Sequence, residues 1–370
     1  MRYILHILLI FFLFIPSVVR SAEIQKMPVV ARLIGGLGNQ MFVLASTIGY
    51  ATQFNREICL SKPFNQEFSI PYRICSPEEI ERAKMKQCFH DPFNEDMFKN
   101  KDCGMLSVYL QDERFFKTQS DLIRRLFTFS DPIPEGVRQL ADEMEERNSV
   151  AVHIRRGDYI SNHHPIMTHD YYEEAADYIE RETGKPIHLY IFSNDFEWVQ
   201  KHFFSKHPFT IVSGNKNTVD MHLMTLCHHN ILSPSTFSWW GAWLNNHPDK
   251  IVVAPERWSY GDSWYGKNVV LPSWKVISGH DVEGGSIAVV YTAIGEDIQF
   301  FDTDYAKLEK DFVPELPKTY FILTDNTDKK LPDNVIRIPL KKGTLIKSKQ
   351  ISEIRDFYYV YFFNANIKLD

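Results

Sequence analysis

The sequence predicts an α/β fold built on a parallel, doubly wound sheet, and three observations carry that prediction. Between Val150 and Ala254 short β-branched runs alternate with stretches of helical length, the trace left by strands joined through crossover helices. Three of the runs stop at polar groups, Arg155/Arg156/Asp158, Ser193/Asn194/Asp195 and Ser235/Thr236/Ser238, so polar side chains collect at one edge of the sheet. Nearer the amino end, the apolar run Pro28–Ile34 passes directly into Gly35-Gly-Leu-Gly-Asn-Gln40 and then into an apolar helix.

The same patterning gives the elements in chain order. Pro28–Ile34 reads as a strand, and Met41 to about Phe54 as the helix after the glycine loop. Residues 59–129, rich in Phe, Pro and Asn, read as loops and short helices with a strand at Ser107–Leu110. Pro134–Glu146 is a charged surface helix leading into the strand Val150–Ile154, where Val150, Val152 and Ile154 alternate with Ala151 and His153. A helix is expected over Asp170–Glu182, with Asp170 and Glu173 spaced as a capping box. The strand Ile187–Phe192, a helix over Phe196–Phe204, the strand Phe209–Val212, a helix over Val219–His229 and the strand Asn230–Leu232 come next. Ser235–Ser238 turns into a helix over Trp239–Asn246, and Lys250–Ala254 closes the series. Trp239, Trp240 and Trp243 fall near one helical face and are read as core.

The chemistry concentrates where the Val150 strand stops at Arg155-Arg-Gly-Asp158. In open parallel sheets ligands bind beyond the carboxyl ends of the strands, and paired guanidiniums there suit phosphate oxygens. Gly157 permits a turn or a close approach of backbone to ligand. The bland alternative is a strand that ends in a surface salt bridge between Arg156 and Asp158. The Gly35–Gln40 loop can present backbone N–H groups and a helix N-terminus to an anion; it is not a dinucleotide fingerprint, and a tight turn without ligand is its alternative. Ser235 and Thr236 suit a phosphate cradle and simple N-capping equally. Asp220, at the start of the preceding helix, is placed to accept from a base or ribose hydroxyl. His163, His164 and His169 lack the regular spacing of metal ligands and read as loop histidines.

Composition bounds the functional class. A chain of 370 residues with 44% apolar and 14% aromatic content has room for two or three domains. A net charge of −6 argues against a nucleic-acid binder, which needs a basic footprint. The five cysteines, Cys59, Cys75, Cys88, Cys103 and Cys227, contain no CxxC pair and fit neither a zinc site nor a disulfide framework well, although Cys75, Cys88 and Cys103 leave room for one bridge. Within residues 1–26, the apolar stretch Ile4–Val19 follows Arg2 and reads as a signal peptide or a short signal anchor. Membrane association through it is the expectation, and a cytoplasmic product starting at Met27 is the alternative. The lack of an Asn-x-Ser/Thr sequon and of a stem weakens a Golgi-type assignment.

Four stretches, GGLGNQMF at 35–42, HIRRGDY at 153–159, IFSND at 191–195 and DMHLMTLCHHNILSPSTFSWWGAWLN at 220–245, closely resemble the α-1,2-fucosyltransferases of bacteria and animals that use GDP-fucose. The resemblance covers roughly residues 28–275. It implies a glycosyltransferase of the GT-B type with two Rossmann-like lobes, inverting and in need of no metal or other cofactor. Residues 27–149 would form the lobe on the acceptor side and 150–278 the lobe that holds GDP-fucose. Carried over residue by residue, Arg155, Asp158 and His153 fall in catalytic positions. Gly35, Gly36, Gly38, Asn39, Gln40, Arg156, Asn194, Asp195, Asp220, Ser235, Thr236, Phe237 and Ser238 fall in donor-binding ones. Arg155, helped by Arg156, would meet the charge that grows on the β-phosphate. His153 would contact the donor, and Asp158 would take the proton of the acceptor hydroxyl unless it only orients Arg156. The implied reaction moves L-fucose to the 2-hydroxyl of a terminal galactose on a glycan acceptor. Another linkage, donor hydrolysis, or a membrane-tethered GDP-sugar binder without turnover are the alternatives.

Residues 286–370 lie beyond that resemblance. Ile287-Ala-Val-Val-Tyr-Thr-Ala, Thr319-Tyr-Phe-Ile-Leu-Thr-Asp325 and Tyr359-Val-Tyr-Phe-Phe-Asn-Ala-Asn366 look like the opening, GT-A-like part of bacterial relatives of the blood-group α-1,3-galactosyl/N-acetylgalactosaminyltransferases, with Asn364-Ala-Asn366 in the place of a metal-binding Asp-x-Asp. That implies a truncated, inactive module with strands at Ile287–Val290, Tyr320–Leu323 and Tyr359–Phe363. Asp302-Thr-Asp304 reads as a polar loop or helix start.

Overall fold

A computed structural model describes residues 27–88, 93–106, 109–129, 132–161, 164–259, 268–279, 281–283, 287–293, 301–302, 305–306, 318–326, 328–332, 335–339 and 359–364, with backbone alone at 160–161, 281–283, 287–288, 318–319, 338–339 and 359–364. Ile4–Val19 and His163 lie outside this set. Among the described residues no helix is long and apolar enough to cross a membrane. The chain divides into two compact units, Met1–Ile133 with Trp264–Leu271, and Pro134–Ser263 with Pro272–Asp370.

In the first unit four short parallel strands, β1 (Val29–Ala31), β2 (Ile58–Leu60), β3 (Gln87–Cys88) and β4 (Met105–Leu106), pair in the order β2-β1-β4-β3. Helix α1 (Leu37–Gln53) packs on β1 and is buried at every position from Met41 to Ala51. It begins at Leu37 rather than at the expected Met41, because Gly35 in the left-handed region (φ 71°) and the N-cap Gly36 complete the turn by themselves. Gly38, Asn39 and Gln40 therefore sit in the first turn of the helix. The strand expected at Ser107–Leu110 is instead Met105–Leu106; Ser107 and Val108 lie outside the described residues, and Leu110 at φ 53° leaves the extended region.

Two disulfides, Cys59–Cys75 and Cys88–Cys103, correct the expectation of at most one. Their pairing follows the backbone. Arg56 donates to the carbonyls of Lys101 (3.0 Å), Cys103 (2.5 Å) and Met27 (2.8 Å), while the Tyr50 hydroxyl donates to Asn100 O (2.6 Å) and accepts the Cys103 N–H (3.1 Å). That net holds the Cys103 segment, the Gly104 N–H on Lys86 O (2.9 Å) sets it beside β3, and the Cys75 N–H on Leu60 O (2.9 Å) sets Cys75 beside β2.

The second unit opens with helix α2 (Glu135–Glu146), so it starts at Pro134 rather than at the expected Val150. Its sheet has six parallel strands, β5 (Ser149–Ile154), β7 (His188–Ser193), β8 (Phe209–Ile211), β9 (His229–Ile231), β10 (Val252–Pro255) and β11 (Lys275–Ile277), ordered β11-β10-β9-β5-β7-β8. Numbered along the chain from the β8 edge this is 3-2-1-4-5-6, the doubly wound arrangement expected from the alternating pattern. All six residues of β5 are buried, as a strand covered on both faces requires. Val150, Val152 and Ile154 share one core with Tyr171, Ala175 and Ile179 of helix α3 (His169–Thr183).

Boundaries moved where a cap or a following strand decided them. Helix α3 starts after Thr168, so Asp170 and Glu173 form no capping box, and Glu173 Oε2 instead accepts the Lys206 N–H (3.4 Å). Helix α4 (Phe196–His202) follows β7. Helix α5 (Asn217–Leu226) stops short of the expected His229, which already belongs to β9. Helix α6 (Thr236–Leu244) begins at Thr236 because the Ser235 hydroxyl accepts the Phe237 N–H (3.3 Å). Its Trp239, Trp240 and Trp243 are core, as expected. Here β11 and the antiparallel pair β6 (Pro165–Met167) with β12 (Asp281–Glu283), which carries this unit past residue 278, went unread, as did β2 and β3 of the first unit.

Beyond it, β13 (Ile287–Ala293), β14 (Lys318–Thr324), β15 (Val335–Pro339) and β16 (Tyr359–Asn364) form a parallel sheet in the order β15-β14-β13-β16, with one strand more than expected. Val289, Tyr291, Tyr320 and Ile322 are part of its core. Asp302 pairs with Lys329 (2.7 Å), while Asp304 and Asn366 lie outside the described residues. These strands establish a parallel α/β sheet and go no further toward a second glycosyltransferase.

At the amino edge of the main sheet His229 uses both ring nitrogens: Nδ1 accepts the Ile251 N–H (3.0 Å) and Nε2 lies 3.0 Å from Asn148 Oδ1. Burial, with His228 and His247 nearby and Asp249 opposing, pushes it down to about 4 from 6.5. Protonation at Nδ1 would break the bond to Ile251. Because the folded value lies below the unfolded one, the stabilisation is complete above pH 6.5 and is lost as pH falls toward about 4. Unfolding free energy should drop by up to about 1.4 kcal/mol per pH unit in that window. Denaturant titrations across it should show a shallower slope for His229→Gln, and an unchanged slope would remove His229 as the cause.

Candidate active site

The chain runs β5, β7, β8 to one side and returns to β9 on the other, so β5 and β9 flank the crossover where ligands bind beyond the carboxyl ends of such sheets. Three loops meet at this edge. Tyr159 donates to Pro234 O (2.8 Å), and His153 Nδ1 lies 2.6 Å from Ser233 Oγ, joining the loop after β5 to the loop after β9. From the loop after β7, Ser193 Oγ donates to Ile154 O (2.8 Å) and Asn194 Oδ1 accepts the Arg156 N–H (2.9 Å). The structure thus brings Arg155, Arg156, Asp158, Asn194, Asp195 and Ser235 to one edge. Gly35, Gly36, Gly38, Asn39 and Gln40 belong to the first unit, where Gln40 Nε2 donates to Gly35 O (2.8 Å) and Asn39 Oδ1 accepts from Gln111 (2.7 Å).

The expected ion pair changes partners. Asp158 binds Arg155 (2.7 Å), and Arg156 Nε stands 3.8 Å from Asp195 Oδ2. An aspartate one helical turn after the strand reaches back over the first arginine, because the second points into the protein, where it is 2% exposed. Arg155 keeps its side chain 26% accessible, and its Nε is buried without a hydrogen-bond partner among the described residues. One guanidinium is thus a fixed buried charge and the other can reach a ligand. Gly157 makes the turn possible: its φ is 54°, and a Cβ there would come within 2.6 Å of Asn194 Nδ2.

Several residues expected at the ligand have hydrogen-bond partners within the framework. His153 is 3% exposed, and burial, helped by the positive charge of Arg155, pushes it down to about 3, so it is neutral and holds Ser233. The fully buried Ser238 hydroxyl, expected to bind the donor, here donates to the carbonyls of Ser233 (3.2 Å) and Ser235 (3.0 Å), and Ser235 is an N-cap. Thr236 and Phe237 occupy the first turn of α6, half-buried. Asp220, in the first turn of α5, accepts from Asn215 (3.0 Å), and burial pushes its carboxyl up to about 6. His164 packs on Tyr159 and His169 stacks on Phe204. Sequence reasoning missed Tyr159, Ser233 and Trp198; the last lies three positions after the helix cap Asp195, a spacing that marks the first turn but not what its ring touches.

Two guanidiniums and a helix N-terminus at the crossover of a parallel sheet define an anion-binding α/β unit of the nucleotide-binding class. The chain belongs to glycosyl transferase family 11, whose family model matches residues 12–278. It is 34% identical over 202 residues to the O-antigen biosynthesis glycosyltransferase WbnK of Escherichia coli, which takes in 50% of this chain and 65% of that one. The alpha-1,2-colitosyltransferase of Escherichia coli is 33% identical over 273 residues, 62% of this chain and 92% of that enzyme. The galactoside alpha-(1,2)-fucosyltransferase 1 of Rattus norvegicus is 26% identical over 260 residues, 64% of this chain and 65% of that one. The match thus spans just under two thirds of the length of WbnK and of the rat enzyme.

The turn geometry sets a stability contrast. Gly157→Ala should cost about 1–2 kcal/mol for the left-handed backbone alone, with the push on Asn194 added. Gly36→Ala, where φ is −73° and a Cβ meets nothing within 4 Å, should stay within about 0.5 kcal/mol of the parent. Urea titrations of the two variants compare these values, and equal losses would contradict the geometry.

Proposed function

We propose that the protein transfers L-fucose from GDP-fucose to the 2-hydroxyl of a terminal galactose, with inversion at C1. The observation that carries the reading is the guanidinium pair at the β5–β9 crossover, in a family 11 chain two of whose relatives are named for α-1,2 transfer. In this reaction the acceptor oxygen bonds to C1 from the face opposite the diphosphate, the C1–O bond breaks, and its electron pair leaves with GDP. Charge therefore grows on a β-phosphate oxygen. The accessible Arg155 meets it with in-plane N–H groups, and the buried Arg156 supplies a fixed positive potential behind it. The acceptor proton goes to Asp158, whose side chain is 51% exposed and lies against Arg155. Asp220 accepts from the base or ribose, and His153, Ser235 and Ser238 hold the loops in place. The turn at Gly35–Gln40 is assigned to donor binding by the resemblance alone.

The name of the second relative favours one other reading, the same linkage with colitose as the sugar. Linkage NMR and mass spectrometry of products from GDP-fucose and a panel of β-galactosides test the proposal. An α-1,2-fucosylated galactoside supports it, and no transfer from GDP-fucose to any of them overturns it. Two disulfides favour folding in an oxidising compartment over the cytoplasmic alternative, and attachment through Ile4–Val19 is part of the proposal; recovery of the chain in a carbonate-washed membrane fraction checks it. Residues 286–370 hold none of the residues assigned here, and we give them no part in transfer.

Arg155→Lys replaces a planar fork by a point charge and should lower kcat by roughly 100-fold while GDP binding, read by calorimetry, falls less. Near-full turnover would remove Arg155 from the step. EDTA should leave transfer intact, since the arginines are assigned the role a divalent ion has at other diphosphates; loss of activity restored by manganese would overturn that assignment.

A further inference from the structure

Tyr159 closes the arginine turn and is fixed at both ends. Its backbone N–H donates to Arg156 O (3.0 Å), its carbonyl accepts the His164 N–H (3.2 Å), and its hydroxyl donates to Pro234 O (2.8 Å) in the loop after β9. Burial pushes the phenol up to about 12, with Arg155 opposing and Asp158 adding, so the hydroxyl keeps its proton and stays a donor through the neutral range. The His164 imidazole packs on the ring, with 4.5 Å between centroids.

That ring carries a cation. The Arg155 guanidinium carbon lies over it, 5.0 Å from the centroid, and Arg155 is the accessible arginine of the pair, with 26% of its side chain exposed. Asp158 holds it loosely, because both carboxylate oxygens meet the same Nη2, at 2.7 and 2.9 Å, and the aspartate is half exposed. An exposed pair contributes little, and a grip on one nitrogen leaves the guanidinium free to turn. The ring beneath supplies the constraint that the pair lacks. Its hydroxyl sets a spacing as well: Pro234 precedes Ser235, the N-cap of α6. Through one side chain the accessible arginine is tied to the N-terminus of α6, two of the features that attract an anion to this edge.

We propose that Tyr159 is a positioning residue for transfer: its ring holds the Arg155 guanidinium in place at the leaving diphosphate, and its hydroxyl keeps that arginine at a fixed distance from α6. The proposal rests on the functional reading given above. Attraction of the arginine for a bound diphosphate changes little with a small displacement, whereas N–H bonds that strengthen as the C1–O bond breaks depend strongly on alignment. Loss of the ring therefore acts on turnover more than on binding.

The test uses the full chain, with kcat for GDP-fucose transfer to a β-galactoside and the dissociation constant of GDP by calorimetry. Tyr159→Leu should lower kcat by about tenfold or more and leave the GDP dissociation constant within about threefold of the parent. In an Arg155→Gln chain, which has no cation for the ring to hold, the same change should lower the residual kcat by no more than about threefold. A residue with a structural role alone costs the same factor in both chains, so equal factors overturn the proposal, as do parallel losses of kcat and GDP affinity. Tyr159→Phe keeps the ring and the volume but gives up the bond to Pro234, and should lower kcat by about threefold or more. Turnover equal to the parent in that variant overturns the proposal whether or not Tyr159→Leu folds. A parent chain that transfers nothing from GDP-fucose removes the functional reading and this one with it, whereas an active parent with any of the contrary results removes only the role of Tyr159.

Discussion

The Asn194 side-chain amide accepts the Arg156 N–H and donates toward the Arg156 carbonyl and Asp158, and the geometry of the candidate site depends on that contact. It couples the loop after β7 to the turn after β5, and the turn can approach so closely only because Gly157 has no side chain. Once the turn is fixed, the two arginines diverge. Arg156 goes inward under Trp198, and Arg155 stays at the rim with Asp158. A buried cation costs free energy unless the surroundings offset it, and here a carboxylate and an aromatic face share that role.

The hydroxyls at this edge do a different job from the one their types suggest. Ser193, Ser235 and Ser238 spend their hydrogen bonds on main-chain groups of the strand ends and loops at this edge, and His153 is kept neutral against Ser233. A positive potential therefore stands at the crossover in a frame with few movable parts. Preorganised charge of this sort suits a reaction whose product is an anionic leaving group, since little reorganisation is needed when the charge develops.

Much of the second unit was legible because burial on both faces leaves near-continuous apolar runs, and Val150–Ile154 and Leu189–Phe192 are such runs. Their polar ends marked the correct edge of the sheet. Which arginine pairs with Asp158 was not legible, because i,i+2 and i,i+3 contacts at a strand end depend on the turn that Gly157 makes. Nor was the β6–β12 pair, which joins residues more than a hundred positions apart in three-residue strands. The Cys88–Cys103 pairing goes with carbonyls that Arg56 and Tyr50 gather from a distant loop, and the Cys59–Cys75 pairing with the main-chain bonds of Leu60 to Arg73 and Cys75, contacts that spacing does not encode. The capping box expected at Asp170 failed for a simpler reason: Thr168 starts the helix first.

The account stands on the claim that the arginine turn at the β5–β9 crossover holds the donor diphosphate. A crystal structure of the full chain with GDP tests it most directly. The account predicts the β-phosphate with an oxygen about 3 Å from the Arg155 guanidinium, at the carboxyl edge between β5 and β9. GDP bound at another edge of the molecule, or with its diphosphate turned away from both arginines, would contradict it.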